Sequence, residues 1–141
     1  MSRILCFDYG TKRIGIAVTD ELKIIASPLV TCDTSKIFNF VDQYISKHSI
    51  ELFLVGMPLD LNGKPTDATN LTKSFITSLS KKFPNIDIDT YDERFTSKIA
   101  KDSLIALGKT KKYRRNKRNI DKISASIILQ SYLTRKKWFT L

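Results

Sequence analysis

Four acidic side chains stand where acids are costly or oddly placed: Asp8, Asp92, Glu93 and Asp121. Asp8 ends the apolar run Ile4-Leu5-Cys6-Phe7. Asp92 and Glu93 follow the alternating stretch from Ile86 to Tyr91, and Asp121 lies between Ile120 and Ile123 near the start of the last helical pattern. An ionised carboxylate at the rim of a core is costly unless it is paired or holds a metal. Gathered at one point, such hard oxygen ligands bind Mg²⁺ or Mn²⁺. Two such ions about 4 Å apart can activate a water and stabilise the leaving oxygen of a phosphodiester. Each acid also has a plainer reading. Asp8 fits a turn, Asp92-Glu93 fits a cap or an ion pair with Arg94, and Asp121 is favoured by the dipole of its helix. Convergence decides, and it asks that the first and last strands lie side by side with the last helix packed across them.

The elements that must do the positioning can be read in chain order. Ile4 to Phe7 is the pattern of a strand buried on both faces. The turn Thr11-Lys12-Arg13, with Gly10 before it, joins that strand to the apolar run Ile14 to Val18 as a hairpin. Lys23 to Cys32 reads as a third strand, and Pro28 places it at an edge or a bulge. Asp33-Thr34-Ser35 begins a helix that runs to about residue 48. Glu51 to Val55, closed by Gly56, is a strand reached by a crossover and so pairs in parallel. After a loop from Met57 to Pro65, Thr66 or Asp67 caps a helix with Leu71, Phe75, Ile76 and Leu79 inward. The spacing predicts a further helix from Thr96 or Ser97 to Gly108, and a last one from about Asn119 to Arg135. On that helix Asp121 shares a face with Ser124, Ala125 and Ile128, small enough for close approach to a sheet. This is an α/β chain, and one domain is the expectation for 141 residues.

Charge points to the partner. Lys and Arg number 24 against 14 Asp and Glu, a net charge of +10, which favours a polyanion. The densest basic run holds Lys109, Lys111, Lys112, Arg114, Arg115, Lys117 and Arg118 and leads into Asp121. With Lys12, Arg13 and Arg94 these are the candidate nucleic-acid contacts. Contacts to phosphate predict strong salt dependence and little base reading. Cys6 and Cys32 lie far apart in apolar runs and read as buried thiols in a reducing compartment. No leader pattern and no run of 18 apolar residues is present, so a cytoplasmic protein with no membrane partner is expected.

Four stretches, FDYGTKRIGIAV, VGMPLDLNG, YDERFTSKIA and IDKISASIILQSYL, resemble in order and spacing the bacterial YqgF/RuvX family of pre-16S rRNA nucleases and Holliday junction resolvase-like proteins. The resemblance spans essentially the whole chain. It implies a ribonuclease H-like fold: a mixed five-stranded sheet, its first three strands antiparallel, with helices on both faces. It also implies a metal-dependent nuclease site in which Asp8, Glu93 and Asp121 are the acids, with Asp92, on the opposite strand face, second to Glu93. Lys122 and Ser124 stand where the family usually has a small polar residue and alanine, both beside Asp121.

The resulting expectation is a nuclease acting on structured RNA, the 5′ end of precursor 16S rRNA above all, or on branched DNA, as a monomer or weak homodimer. Asp-x-Gly-Thr before a basic residue also resembles the phosphate hairpin of actin- and Hsp70-like ATPases. Those enzymes close a second lobe over the nucleotide, which 141 residues cannot supply. A non-catalytic RNA-binding assembly factor would gain nothing from clustered carboxylates, which repel a phosphate ligand.

Overall fold

The computed structural model describes residues 2–59, 62–93 and 116–140, with side chains as far as Arg135. Its strands are β1 (Arg3–Asp8), β2 (Arg13–Thr19), β3 (Ala26–Asp33), β4 (Ile50–Met57) and β5 (Asp87–Asp92). Its helices are α1 (Ile37–Lys47), entered through a 3₁₀ turn at Thr34–Lys36, α2 (Asp67–Lys82) and α3 (Lys117–Thr140). The expected helix over 96–107 lies outside the described residues. So do Arg94, Lys109, Lys111, Lys112, Arg114 and Arg115.

The strands form one sheet in the order β3-β2-β1-β4-β5. β1, β2 and β3 pair antiparallel, while β4 and β5 join in parallel. β3 lies at the sheet's outer edge, as Pro28 requires, and the β2–β3 register shifts where Ala17 meets Pro28. One sequence expectation needs correcting here. β1 and the last strand are not neighbours: β4 lies between them.

Strand alternation divides the core. Leu5, Phe7, Ile14, Ile16, Phe53 and Val55 face α1 and α2, where Ile37, Val41, Phe75 and Leu79 cover them. Ile4, Cys6, Ala17 and Leu54 face α3, which answers with Ala125, Ile128, Leu129, Tyr132 and Leu133. Helices on both faces explain why the middles of β1 and β4 are apolar runs. On α2, Thr66 and Thr69 cap the N-terminus reciprocally. Leu71, expected inward, is instead 45% exposed, because the buried row is Thr69, Thr72, Phe75 and Leu79. Among the described residues no helix is long and apolar enough to cross a membrane.

Candidate active site

Asp8 is the last residue of β1 and points, like Ile4 and Cys6, to the α3 side of the sheet. Glu93 follows β5 directly, its N–H donating to the Met57 carbonyl at 3.2 Å. On β5, Asp89 and Tyr91 face α3: the Tyr132 hydroxyl donates to Asp89 at 2.8 Å, and Tyr91 packs on the α3 core. The same alternation sends Glu93 to the α3 side and Asp92 away from it.

Glu93 therefore has to cross β4 to approach Asp8, and Gly56 leaves the room. A Cβ on Gly56 would lie 2.3 Å from Glu93 Oε2 and 2.8 Å from Ile128 Cδ1. A second glycine sets the third acid. A Cβ on Gly15 would lie 2.0 Å from the Asp121 carbonyl oxygen, so the first turns of α3 rest on the bare backbone of β2. Gly15 pairs with Asp8 across the hairpin, and this contact brings Asp121 over the end of β1. The small residues on the helix contribute, but the close approach depends on a missing side chain on the strand.

Both other acids act on Asp8. The Asp8 carboxyl is held well above the usual carboxylate range, by burial first and then by the charges of Glu93 and Asp121. Burial, followed by Asp92, pushes Glu93 up to about 7. Burial also raises the Cys6 thiol, helped by Asp8 and Glu93, which keeps that cysteine unreactive. Asp121 is turned toward Arg13, whose Nε donates to Oδ2 at 3.0 Å. Among the described residues no three His, Cys, Asp or Glu side chains close into a ready-made metal cage. A divalent ion of the Mg²⁺ type needs only one or two carboxylates, with waters and substrate phosphate completing its shell. The donor set fits that demand: all oxygen, partly buried, with the charges of Glu93 and Asp121 bearing on Asp8.

The chain matches the profile of RuvX, described as Holliday junction resolvase, over residues 2–135. The chain belongs to the RuvX family. Curated relatives extend along its whole length. The protein of Flavobacterium psychrophilum named "Putative pre-16S rRNA nuclease" is 47% identical over 136 residues, covering 96% of this chain and 99% of the relative. The protein of the same name from Bacteroides thetaiotaomicron is 42% identical over 138 residues, 98% of this chain and 100% of the relative. Among solved structures, T. thermophilus RuvC in complex with Holliday junction substrate superposes with a TM-score of 0.59 at 12% identity, covering 97% of each chain. That likeness establishes the ribonuclease H-like fold of this RuvX member, which is a nuclease by family.

The basic candidates divide. Lys12 and Lys117 are exposed, whereas Arg13 and Arg118 have partners within the protein. Arg118 donates to the Thr31 carbonyl at 2.8 Å and to Asp33 Oδ1 at 2.5 Å, while the Thr31 hydroxyl donates to the Arg118 carbonyl. Three residues before Asp121, these bonds fasten the start of α3 to the edge strand. Asp33 is thereby drawn away from capping the helix it precedes. We expect Arg118→Gln to cost about 1 kcal/mol of stability, the scale of a half-exposed pair with one backbone bond. The salt slope of nucleic-acid binding should fall by less than the ~0.9 expected of a full phosphate contact. Urea unfolding and binding titrations over a salt series check both.

The raised acids give a second expectation, for the metal-free protein. Glu93 titrates near its ordinary 4.5 when unfolded and at about 7 when folded. Below pH 4.5 both states hold the proton, and the site costs nothing. Between 4.5 and 7 the unfolded chain releases it first, so stability falls as pH rises and levels off above 7. The loss should be about 3 kcal/mol. Melting in chelator at pH 5 and pH 7.5 measures it. Glu93→Gln should shrink the difference to the part that the raised Asp8 carboxyl contributes, and millimolar Mn²⁺ should reverse it.

Proposed function

We propose that this RuvX member is a divalent-metal nuclease, one domain over residues 1–141, that hydrolyses phosphodiester bonds of structured RNA in the cytoplasm. Its preferred substrate is the 5′ end of precursor 16S rRNA. The observation that carries this reading is the gathering of Asp8, Glu93 and Asp121 on one side of the sheet. There burial first, and then the charges of Glu93 and Asp121, hold the Asp8 carboxyl high, a cost that a cation offsets. The names of the relatives supply the RNA.

Asp8, Glu93 and Asp121 would hold Mg²⁺ or Mn²⁺, with Asp92 as an alternate to Glu93. When bound, the metal polarises the phosphate and lowers the pKa of water. The chain's own part is placement. The end of β1 holds Asp8 rigidly, Gly56 admits Glu93, and Gly15 seats Asp121. Lys12 and Lys117, with Arg94, Lys109, Lys111, Lys112, Arg114 and Arg115, steer the polyanion toward the acids. Arg13, beside Asp121, is placed to meet substrate phosphate when a cation takes over that carboxylate. Water adds to phosphorus, the far sugar oxygen leaves with a proton, and two strand ends result.

The family description favours a second substrate, branched DNA. Cutting a four-way junction symmetrically would need two copies, whereas trimming an RNA end needs one, so the expected state is a monomer or weak homodimer. Matched precursor-RNA and junction-DNA substrates, each with Mg²⁺, Mn²⁺ or chelator, test the reading. RNA cleavage that chelator abolishes supports it. Cleavage of the junction alone transfers the activity to DNA, and intact substrates in every metal refute it.

A further inference from the structure

Asp8 and Tyr9 are consecutive, so the alternation that sends Asp8 toward α3 sends Tyr9 to the opposite side of the sheet. There Tyr9 lies face to face with Phe75 of α2, with centroids 4.8 Å apart and planes at 19°. Phe38 of α1 lies nearly parallel to Phe75 at 6.3 Å. Tyr9, Phe38 and Phe75, with the hydroxyl residues Thr34, Ser74 and Ser78, line an open cavity of about 230 Å³. Leu71, also part of the lining, is the α2 leucine that the core leaves 45% exposed.

We propose that this cavity receives an unpaired nucleobase of the substrate, from a nucleotide one or two positions from the phosphate held at Asp8. The proposal rests on the nuclease reading and adds a subsite to it. Size is the first argument. At about 230 Å³ the space falls below the ~300–1,000 Å³ of pockets for whole drug-sized ligands, and it suits one flat ring system. Lining is the second. Tyr9 and Phe38 are partly exposed rings, and stacking on such rings is tolerant of base identity. Ser74 and Ser78 can each donate or accept, so they suit the mixed edge of a base better than a purely apolar side chain.

Placement is the third argument. Tyr9 directly follows the acid at which the backbone is cut, a rise of about 3.3 Å along the chain. A strand passing over the carboxyl end of β1 can lay its phosphate on the α3 side and its base on the other. Lys12, in the turn that follows Tyr9, is exposed. A base can enter only if it is unstacked, so the enzyme needs an unpaired nucleotide beside the bond it cuts. A fully paired duplex should be a poor substrate for that reason.

The test uses short single-stranded RNAs carrying one 2-aminopurine, moved position by position, with the full-length protein in chelator and low salt so that nothing is cut. We expect one position, or two adjacent ones, to be quenched on binding. An abasic site there should weaken wild-type binding about tenfold, as expected for a lost stacked base. Tyr9→Leu removes the aromatic face, and Ser74→Met fills the cavity from an exposed helix position. Both should lose the quench and the abasic effect while retaining wild-type melting behaviour within a few degrees. Should Tyr9→Leu fail to fold, Ser74→Met alone decides. RNA binding with no position-dependent quench, or a quench that survives Ser74→Met, overturns the subsite and leaves the nuclease reading standing. No RNA binding by the wild type overturns both.

Discussion

Asp8→Asn should leave a folded protein that binds nucleic acid and no longer cuts it. The amide keeps the shape of the carboxylate at the end of β1, so packing against the α3 core is unchanged. What it loses is the negative charge that, on the proposed reading, would help hold a divalent cation with Glu93 and Asp121. Groups that only orient metal ligands typically cost ~10–100-fold when removed. Loss of a ligand should therefore exceed about a hundredfold in cleavage rate, and Glu93→Gln and Asp121→Asn should fall in the same range. Stability separates this account from structural damage. The Asp8 carboxyl is raised by burial and then by its neighbours' charges, so at pH 7.5 without metal Asp8→Asn should melt at or above the wild-type temperature. Asp121→Asn, which loses the Arg13 pair, should melt slightly below it. Rate, melting temperature and Mn²⁺ affinity measured on the same preparations decide. Wild-type cleavage by Asp8→Asn in saturating Mg²⁺ would remove Asp8 from the site.

Much of this arrangement is legible in the sequence where local patterning carries it. The apolar run before Asp8, the basic turn after it and Pro28 on the third strand fix three strands and the edge. Lateral order is harder, because the pattern of a parallel strand does not say which neighbour it takes. β4 thus intervenes between the two acid-bearing strands, and Glu93 reaches Asp8 across it. The available clue was Gly56, which reads as strand punctuation but also marks a close approach. Gly15, inside an apolar strand, carries the same double meaning. Helical spacing placed Leu71 one row off, since a face set by four apolar residues tolerates that error. A basic run likewise cannot reveal which of its members turn inward, and Arg118 does, onto Thr31 and Asp33.

The largest effect on the fold should come from Gly15→Ala. β2 is ordinary extended backbone, so alanine is locally acceptable and even stiffens the unfolded chain, by about 0.4–1 kcal/mol in favour of folding. Against that, the new Cβ would meet the Asp121 carbonyl oxygen at 2.0 Å, its carbon at 2.3 Å and the Lys122 nitrogen at 2.9 Å. All three are backbone atoms, with no rotamer to move them aside. α3 must lift from the sheet, which loosens the contacts of Ala125, Ile128 and Leu129 with Cys6, Ala17 and Leu54. Overpacking usually costs ~1–3 kcal/mol, and a rigid obstacle puts this case at about 3, a large share of the ~5–15 kcal/mol typical of a domain. Activity should fall further than stability, because displacing a catalytic group by about 1 Å costs ~100-fold. Gly56→Ala is the comparison, since its Cβ would meet only the ends of two side chains, Glu93 and Ile128. That variant should lose activity as Glu93 is pushed away, yet lose under half as much stability as Gly15→Ala. Urea unfolding of the two variants beside the wild type gives the answer: equal losses, or a Gly15→Ala protein as stable as the wild type, would mean that α3 does not rest on β2 as described.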